Sequence, residues 1–200
     1  MNADQMIVRH EREKLIHAIL YFVQNTKHCH TLKLFKLLSF LDYEHYRQTG
    51  RSVTGEVYSA LPMGPVPDAL YQELDHPRHD LASKVAILQV KDDITKEFKR
   101  RDLKPKVSFN PKLFSKREMQ IMQTVAEMFR DLQASDMTKY SHSPNLPWLK
   151  VYAGGKGKGR RIPYELALES DPLIHDEPTI DIDELAYKAN ALKELRSSGG

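Results

Sequence analysis

The fold depends on one stretch, residues 31–50, which reads TLKLFKLLSFLDYEHYRQTG. Its apolar residues cover most of the circumference of a helix, a pattern typical of a helix that is buried on nearly all sides. Thr31 is suited to cap the N-terminus of this helix, and the glycine that follows is suited to end it. We therefore predict a central helix over Leu32–Arg47, with Lys33 and Lys36 at its most hydrated edge.

Helical periodicity also marks the segments on both sides of this helix. Residues 8–25 repeat apolar residues at spacings of three and four, and Ser115–Leu132 carry one apolar face behind a capping box of Ser115 and Glu118. Shorter helices are predicted at Pro67–Leu74, near residues 135–140, at Pro163–Leu168 and at Asp181–Leu195. About six helices should therefore surround the central one.

Strand-forming residues are fewer than helix-forming ones. β-Branched and aromatic residues favour strands at 52–61, 84–91 and 105–109, with the charged run before residue 105 as a loop. The segment LPMGPVP, residues 61–67, contains three prolines and a glycine, which favour a stiff turn. The predicted fold class is α+β, mainly α: a helical domain around a buried central helix, with a small antiparallel β-sheet. We expect this domain over residues 1–168, and an acidic linker and C-terminal helix over 169–200.

Composition limits the class of protein. The chain has 200 residues, of which 40% are hydrophobic and 28% charged, so it can bury the core of one domain. A net charge of +3 is mild for a dedicated nucleic-acid binder. The single cysteine, Cys29, allows no disulfide within the chain, and the N-terminus lacks the apolar core of a signal peptide. No stretch provides the ~20 apolar residues of a membrane span. We expect a cytoplasmic protein that does not bind membranes.

Charge is unevenly distributed along the chain. Lys96–Arg117 contain nine basic and two acidic residues, whereas Glu165–Glu184 contain eight acidic residues and no Lys or Arg. Three interpretations stay open: the two stretches face each other, each faces a partner, or both are ordinary solvated surfaces.

Two motifs invite a chemical interpretation. His28, Cys29 and His30 are adjacent, so their side chains diverge and do not match the paired spacing of a zinc site. The segment GGKGKGRR, residues 154–161, is rich in glycine and basic residues but lacks the Gly-Lys-Ser/Thr ending of a P-loop. It is interpreted as a mobile surface loop, or as a contact for RNA or an acidic partner. We predict no catalytic residue, no metal and no cofactor.

Two blocks of sequence carry a resemblance to a known family. Residues 31–74 contain the LKLFKLLSFLD helix and the Gly64-Pro65-Val66 turn, and residues 114–148 contain a long helix, a short helix and the motif residues His142, Pro147 and Trp148. In this order and separation the blocks resemble the Panacea domain of SocA-like antitoxins, over about residues 10–168. Phe35 stands where the family usually has Gln before Lys.

The resemblance implies a function that depends on a partner. Relatives are commonly encoded beside a toxin, so the expected function is an antitoxin of a toxin–antitoxin system, of the kind found in prophages or phage defence. It would neutralise its cognate toxin by direct protein–protein binding and would not be an enzyme. One alternative is a proteolytic adaptor that delivers the toxin to a protease; another is a nucleic-acid-binding regulator, although nucleic acid is not the expected partner. A homo-oligomer, or a hetero-oligomer with the toxin, is compatible with each.

The expected contacts lie at the turn and in the basic run. The partner-binding residues that we predict are Tyr58, Met63, Gly64, Pro65, Val66, Tyr71, Arg100, Arg101, Lys104 and Lys116. His142, Pro147 and Trp148 are expected to be structural, with the tryptophan closing an edge of the core and the histidine capping a helix end. The basic run further suggests that the toxin presents an acidic or nucleotide-binding surface, which would make the complex sensitive to salt.

Overall fold

The computed structural model describes residues 10–92, 94–95, 97–141 and 146–172. Its α-helices are α1 (Glu11–Asn25), α2 (Thr31–Thr49), α3 (Asp68–Glu73), α4 (His79–Ala82), α5 (Lys116–Met128), α6 (Ala134–Ser141) and α7 (Pro147–Tyr152). Its strands are β1 (Tyr58–Leu61), β2 (Gly64–Pro67), β3 (Val85–Lys91) and β4 (Phe98–Pro105), and short 3-10 turns occupy Pro111–Leu113, Ala153–Gly155 and Tyr164–Glu169. The predicted fold class, mainly helical α+β, is confirmed. The helix predicted at Asp181–Leu195, and His142, lie outside the described residues.

The central helix is α2, as the sequence indicates. It contacts α1, α5, α6, β2, β4 and the turn at Tyr164–Glu169. Gly50 ends it at φ 71° in the left-handed region, as predicted. The expectation of a hydrated edge is wrong, because neighbours surround the helix and leave Lys33 and Lys36 only 0% and 1% exposed. The Lys33 ammonium instead donates hydrogen bonds to backbone carbonyls of the segments packed around it.

Helix α5 begins as predicted and ends early. The Ser115 hydroxyl accepts a hydrogen bond from the Glu118 N–H, and the Glu118 carboxylate accepts one from the Ser115 N–H at 2.7 Å, which completes the capping box. The predicted end at Leu132 is wrong. The helix stops at Met128, and beyond its end the carbonyls of Arg130 and Leu132 accept hydrogen bonds from the Lys33 ammonium.

The strands form two separate hairpins, not the single small sheet that we expected. β1 pairs antiparallel with β2 from Tyr58↔Pro67 to Leu61↔Gly64, and β3 pairs antiparallel with β4 from Val85↔Pro105 to Lys91↔Phe98. The turn expected at residues 61–67 therefore contains strand β2, where proline is tolerated because a two-stranded sheet has an open edge. The charged run expected as a loop forms β4, and the strand expected at 105–109 is absent among the described residues. The domain boundary expected at residue 168 stays a prediction.

The glycine-rich basic segment is fixed to β1, so its interpretation as a mobile loop is wrong. The N–H of Gly159 donates to the Ala60 carbonyl at 2.8 Å, and the N–H of Ala60 donates to the Arg160 carbonyl at 2.8 Å. Gly157 is buried, and a Cβ atom there would lie 1.8 Å from the Val151 carbonyl oxygen. The glycine is therefore required by close packing of the turn against α7.

Within the described ranges, none of the helices combines the length and the apolar composition that crossing a bilayer would require.

Candidate partner-binding surface

The hairpin of β3 and β4 is anchored to the domain at one end. Val85 and Leu103, near its base, are only 1% and 5% exposed. The Thr31 hydroxyl at the start of α2 donates to the Arg101 carbonyl at 3.2 Å, and His30 forms an isolated bridge with Asp102. The base of the hairpin is therefore held by the core and by the N-terminus of the central helix.

Away from this base, the hairpin exposes apolar side chains along β3 and at its far end. Phe98 is 54% exposed, Leu88 is 41% exposed, and Ile94, which follows β3, is 91% exposed. Single exposed apolar residues are ordinary on protein surfaces, but several on one projecting element are typical of an interaction site. None of the three is among the contacts that the sequence led us to expect.

Four side chains make up a surface that we call the Tyr71–Phe98 stripe: Tyr71 on α3, Asp75 just after α3, and Arg101 and Phe98 on β4. The Arg101 guanidinium forms an ion pair with Asp75 and lies 5.0 Å from the centre of the Phe98 ring. Tyr71, one helical turn before Asp75, is half exposed, and its ring meets the buried Phe35 ring edge-on at 6.2 Å. Arg101 thus links the Phe98 ring to Asp75, which lies 26 residues away from the arginine in sequence.

The opposite side of the hairpin borders a polar cleft. Arg100, Asp102 and Lys104 line it together with Cys29 and His30, around about 880 Å³ of empty space that includes the open mouth. The Arg100 guanidinium donates to Asp102 at 2.7 Å and holds the pKa of that carboxyl below its usual value.

The thiol and the imidazole in this cleft both favour their neutral forms. Burial raises the pKa of Cys29 to about 11 and lowers the pKa of His30 from its usual value. The thiol is therefore protonated near neutral pH, and the imidazole is neutral. No group of three or more His, Cys, Asp or Glu side chains that could hold a metal ion occurs in the part of the chain that the structure describes.

Most of the predicted contacts at the β1–β2 corner are buried. Tyr58 is 1% and Val66 5% exposed, and Gly64 and Pro65 are buried as well. Met63, at the tip of the turn, is the exposed member of this group, with 53% of its surface accessible. A partner can reach the methionine, whereas the other four residues serve the core.

Tyr58 is held in the core by a buried carboxylate. Asp42, fully buried on α2, accepts hydrogen bonds from the N–H groups of Val53 and Thr54 at 2.8 and 2.9 Å, from the Thr54 hydroxyl, and from the Tyr58 hydroxyl at 2.7 Å. Burial raises the pKa of Asp42, while these bonds oppose the shift. The carboxylate thus fixes the chain between α2 and β1, a role that local sequence patterns do not reveal because these partners lie 11 to 16 residues away.

The remaining predicted residues lie apart from the stripe. Arg100 and Lys104 are exposed on the cleft side of the hairpin, and Lys116 is exposed in the first turn of α5, with no described contact to the other two. Trp148 is 3% exposed, and its indole N–H donates to the Leu61 carbonyl at 2.9 Å, while Pro147 is buried at the start of α7. The tryptophan is therefore packed into the protein beside β1.

The fold and this surface define the class: a mainly helical α+β domain with a projecting, partly apolar hairpin. The family model described as "Antitoxin SocA-like, Panacea domain" matches residues 34–149, which is more than half of the chain. The chain therefore belongs to the SocA-like antitoxin family with the Panacea domain. A search of the curated proteins and a search of the solved structures gave no match. The matched residues include most of α2, the whole β3–β4 hairpin and α5, and so they contain the whole Tyr71–Phe98 stripe.

Proposed function

We propose that this protein is an antitoxin that neutralises a cognate toxin by direct binding, with the Tyr71–Phe98 stripe at the centre of the interface. The family supports the antitoxin role. The observation that carries the choice of surface is the exposure of Phe98 beside an arginine that is paired with Asp75, together with the exposure of Tyr71 on α3. Aromatic residues and arginine are enriched among the residues that contribute most to protein–protein affinity.

The shape of the hairpin also favours binding. It projects from the domain with exposed apolar side chains near its far end, and the stripe continues onto α3. A stable interface buries roughly 800 Å² on each partner, which this combination of hairpin and helix is large enough to supply. Its base is fixed by α2, so little conformational freedom would be lost on binding. A neutralised toxin would thus be held in a hetero-oligomer.

Charge supports a further property of the partner. Arg100 and Arg101 are already paired with Asp102 and Asp75, but Lys99 and Lys104 are exposed on the same strand with no ion pair among the described residues. The hairpin therefore carries a net positive charge, which favours a toxin with an acidic surface. Such a complex should weaken as salt is raised, because exposed charges are screened.

The same features support a binding protein and not an enzyme. The buried Cys29 thiol, with its raised pKa, is a weak nucleophile, and the conspicuous surface is built from aromatic and cationic side chains. We place the protein in the cytoplasm, as part of a toxin–antitoxin pair of the kind carried by prophages or used in phage defence, because its lone cysteine fits a reducing compartment.

The experiment is a binding titration with the product of the neighbouring gene. Phe98→Asp should weaken the complex by roughly 30-fold, which corresponds to about 2 kcal/mol. Met128→Asp is the matched control, because Met128 is 41% exposed on α5, and it should change affinity by less than about threefold. An equal loss in both variants, or the absence of any complex with the wild-type protein, would contradict the proposal.

A protease adaptor would use the same surface and differ in the fate of the toxin. The toxin's half-life in cells, with and without this protein, separates the two: neutralisation by binding leaves the half-life unchanged or longer, whereas an adaptor shortens it.

One observation favours nucleic acid as a second candidate partner. Lys156, Lys158, Arg160 and Arg161 are all exposed on the turn that is fixed to β1, and no ion pair involves them in the described residues. Phosphate backbones bind such clusters in a salt-dependent way. A gel shift with mixed DNA and RNA at physiological salt tests this candidate, and a lack of any shift removes it.

A further inference from the structure

The outer edge of strand β3 has no partner strand among the described residues. β3 and β4 form a two-stranded sheet, and β4 is the strand whose outer edge meets the domain, because the Thr31 hydroxyl donates to the Arg101 carbonyl there. β3 starts at the buried Val85, but further along it Leu88 and Gln89 are exposed. An open edge of this kind presents unpaired backbone groups to which a further strand can bind.

The hydrogen bonds of the hairpin show which backbone groups of β3 point to the open edge. The Lys106 N–H donates to the Lys84 carbonyl at 2.8 Å, so Lys84 turns its carbonyl toward β4. Because backbone groups along an antiparallel strand alternate in direction, those of Ile87 and Gln89 point away from β4. The Arg101 carbonyl agrees with this pattern, since Arg101 pairs with Gln89 and its carbonyl points away from β3 to α2.

The sequence of β3 is complementary to itself in one antiparallel register. A register centred on Leu88 places Ile87 opposite Gln89 of a second copy, so that the backbone groups pointing to the two edges meet each other. Leu88 then lies opposite Leu88 of the second copy, in a pair without mutual hydrogen bonds, where side chains approach most closely. Lys84 lies opposite Asp92 of the second copy.

The charges at the ends of this register are opposite and available. Lys84, Leu88 and Asp92 share one face of β3, because side chains alternate between faces and the bulge places its extra residue in β4. Neither Lys84 nor Asp92 forms an ion pair within the described parts of the chain. Opposite charges that face each other across two strands stabilise their pairing. A second copy of this chain is therefore the strand that matches the edge.

We propose that two copies of this protein associate through the outer edges of their β3 strands, about a twofold axis at Leu88. The two hairpins then form one four-stranded antiparallel sheet, which is more stable than an isolated two-stranded hairpin. The contact supplies partners to the backbone groups of Ile87 and Gln89, covers Leu88, which is 41% exposed, and pairs each Lys84 with an Asp92 of the other copy.

This contact is separate from the toxin-binding surface proposed above. The Tyr71–Phe98 stripe lies on α3, just after α3 and on β4, whereas the association uses the outer edge of β3. The inference goes beyond the proposed function, because the association needs no toxin and does not depend on what the stripe binds.

Sedimentation equilibrium of the full-length protein at low salt tests the association. The wild-type protein should change from monomer to dimer as its concentration is raised. Gln89→Pro removes an N–H that points to the open edge and leaves the β3–β4 hydrogen bonds in place, since proline is tolerated where the N–H faces away from the sheet. Loss of this donor in both copies should raise the dissociation constant by roughly 30-fold. Gln89→Ala keeps the N–H, and as the matched control it should change the constant by less than about threefold.

Three outcomes of this experiment would overturn the proposal. The first is a wild-type protein that stays monomeric at every concentration, and the second is an equal effect of Gln89→Pro and Gln89→Ala. The third is a monomeric wild-type protein whose complex with the toxin is weakened by Gln89→Pro, which would identify a strand of the toxin as the occupant of the edge.

A double-mutant cycle tests the register independently, and it applies even if Gln89→Pro does not fold. Lys84 and Asp92 of one copy lie about 26 Å apart, the length of eight extended residues, so coupling between them arises only between copies. Lys84→Glu should raise the dissociation constant about fivefold, because two attractions become two repulsions.

The second background of the cycle is Asp92→Asn, in which Lys84→Glu should change the dissociation constant by less than about twofold. An asparagine keeps the side-chain oxygen that accepts hydrogen bonds from the N–H groups of Ile94 and Thr95, so the turn after β3 is preserved. An equal effect of Lys84→Glu in both backgrounds would overturn the proposal.

Discussion

Replacing Lys33 by methionine tests whether a buried ammonium group stabilises this fold. The Lys33 ammonium donates to the carbonyls of Lys27 at 2.7 Å, Leu132 at 2.6 Å and Arg130 at 3.2 Å, and so it joins the α1–α2 connection to the end of α5. The Arg130 carbonyl also accepts a hydrogen bond from the Lys27 N–H, so it keeps a donor in Lys33→Met. The carbonyls of Lys27 and Leu132 lose the donor that the structure describes for them. Each costs about 1–3 kcal/mol, and relief from burying the charge offsets part of the sum. We expect a net loss of about 3 kcal/mol.

Urea denaturation followed by far-ultraviolet circular dichroism measures this loss. With a slope of about 2 kcal/mol per molar, the midpoint should fall by about 1.5 M urea. The control is Lys112→Met at an exposed position, which should change stability by less than about 0.5 kcal/mol. An unchanged or higher midpoint for Lys33→Met would refute the reasoning, since it would mean that desolvation of the ammonium outweighs its three hydrogen bonds.

Three further predictions concern stability, and each is checked by equilibrium unfolding. Gly157→Ala should cost at least about 2 kcal/mol of stability, because its methyl group would lie 1.8 Å from a backbone carbonyl oxygen. The control is Gly154→Ala, which has nothing within 4 Å and should cost only about 1 kcal/mol for its φ of +65°. Equal losses in the two variants would contradict the close approach at Gly157. Burial lowers the pKa of Lys36 to about 8, so the folded protein releases this proton at a lower pH than the unfolded chain. The stability of the wild type relative to Lys36→Met should therefore rise by about 1 kcal/mol from about pH 7 to about pH 9. A fall in this difference would contradict a lowered pKa of Lys36. Arg12→Met should cost about 2 kcal/mol at neutral pH, because the guanidinium pairs at 2.6 Å with the nearly buried Glu73 and lowers the pKa of that carboxyl. The stability difference between wild type and Arg12→Met should diminish as the pH falls below the ordinary Glu pKa of 4.5, because protonation of Glu73 removes the ion pair. A difference that stays constant with pH would exclude the ion pair as the cause of the loss.

The predicted elements and the predicted surface differ in how well local sequence specifies them. The capping box at Ser115 and the left-handed Gly50 were foreseen, because each depends on residues within one turn of a helix. The charged strand β4 was not, since an exposed two-stranded hairpin tolerates Arg and Lys that strand propensity disfavours. The family resemblance pointed to the helix and the Gly64-Pro65-Val66 corner, yet that corner turned out to be mostly buried.

The candidate interface shows the same limit. Arg101 was expected as a contact because of the basic run, and Tyr71 because of the family block, but nothing local indicates that Asp75 joins them. Phe98 was missed because it stands alone among charged residues, where a sequence pattern gives no apolar periodicity to detect. The pairing of Lys91 with Phe98 brings the ring to the end of the hairpin, where the Arg101 guanidinium lies 5.0 Å from its centre.

The sequence by itself determined the fold class, the central helix, most helix starts and the family, because apolar periodicity, capping and motif order are encoded in neighbouring residues. Only the tertiary structure decided which polar groups are buried and which aromatic residues are exposed. Lys33 and Lys36 belong to an apolar helix that is surrounded on every side, so their charge is buried against their intrinsic preference. Phe98 lies on a hairpin with too few neighbours to cover it. Burial is set by what the rest of the chain places around a residue, and that depends on contacts between segments far apart in sequence.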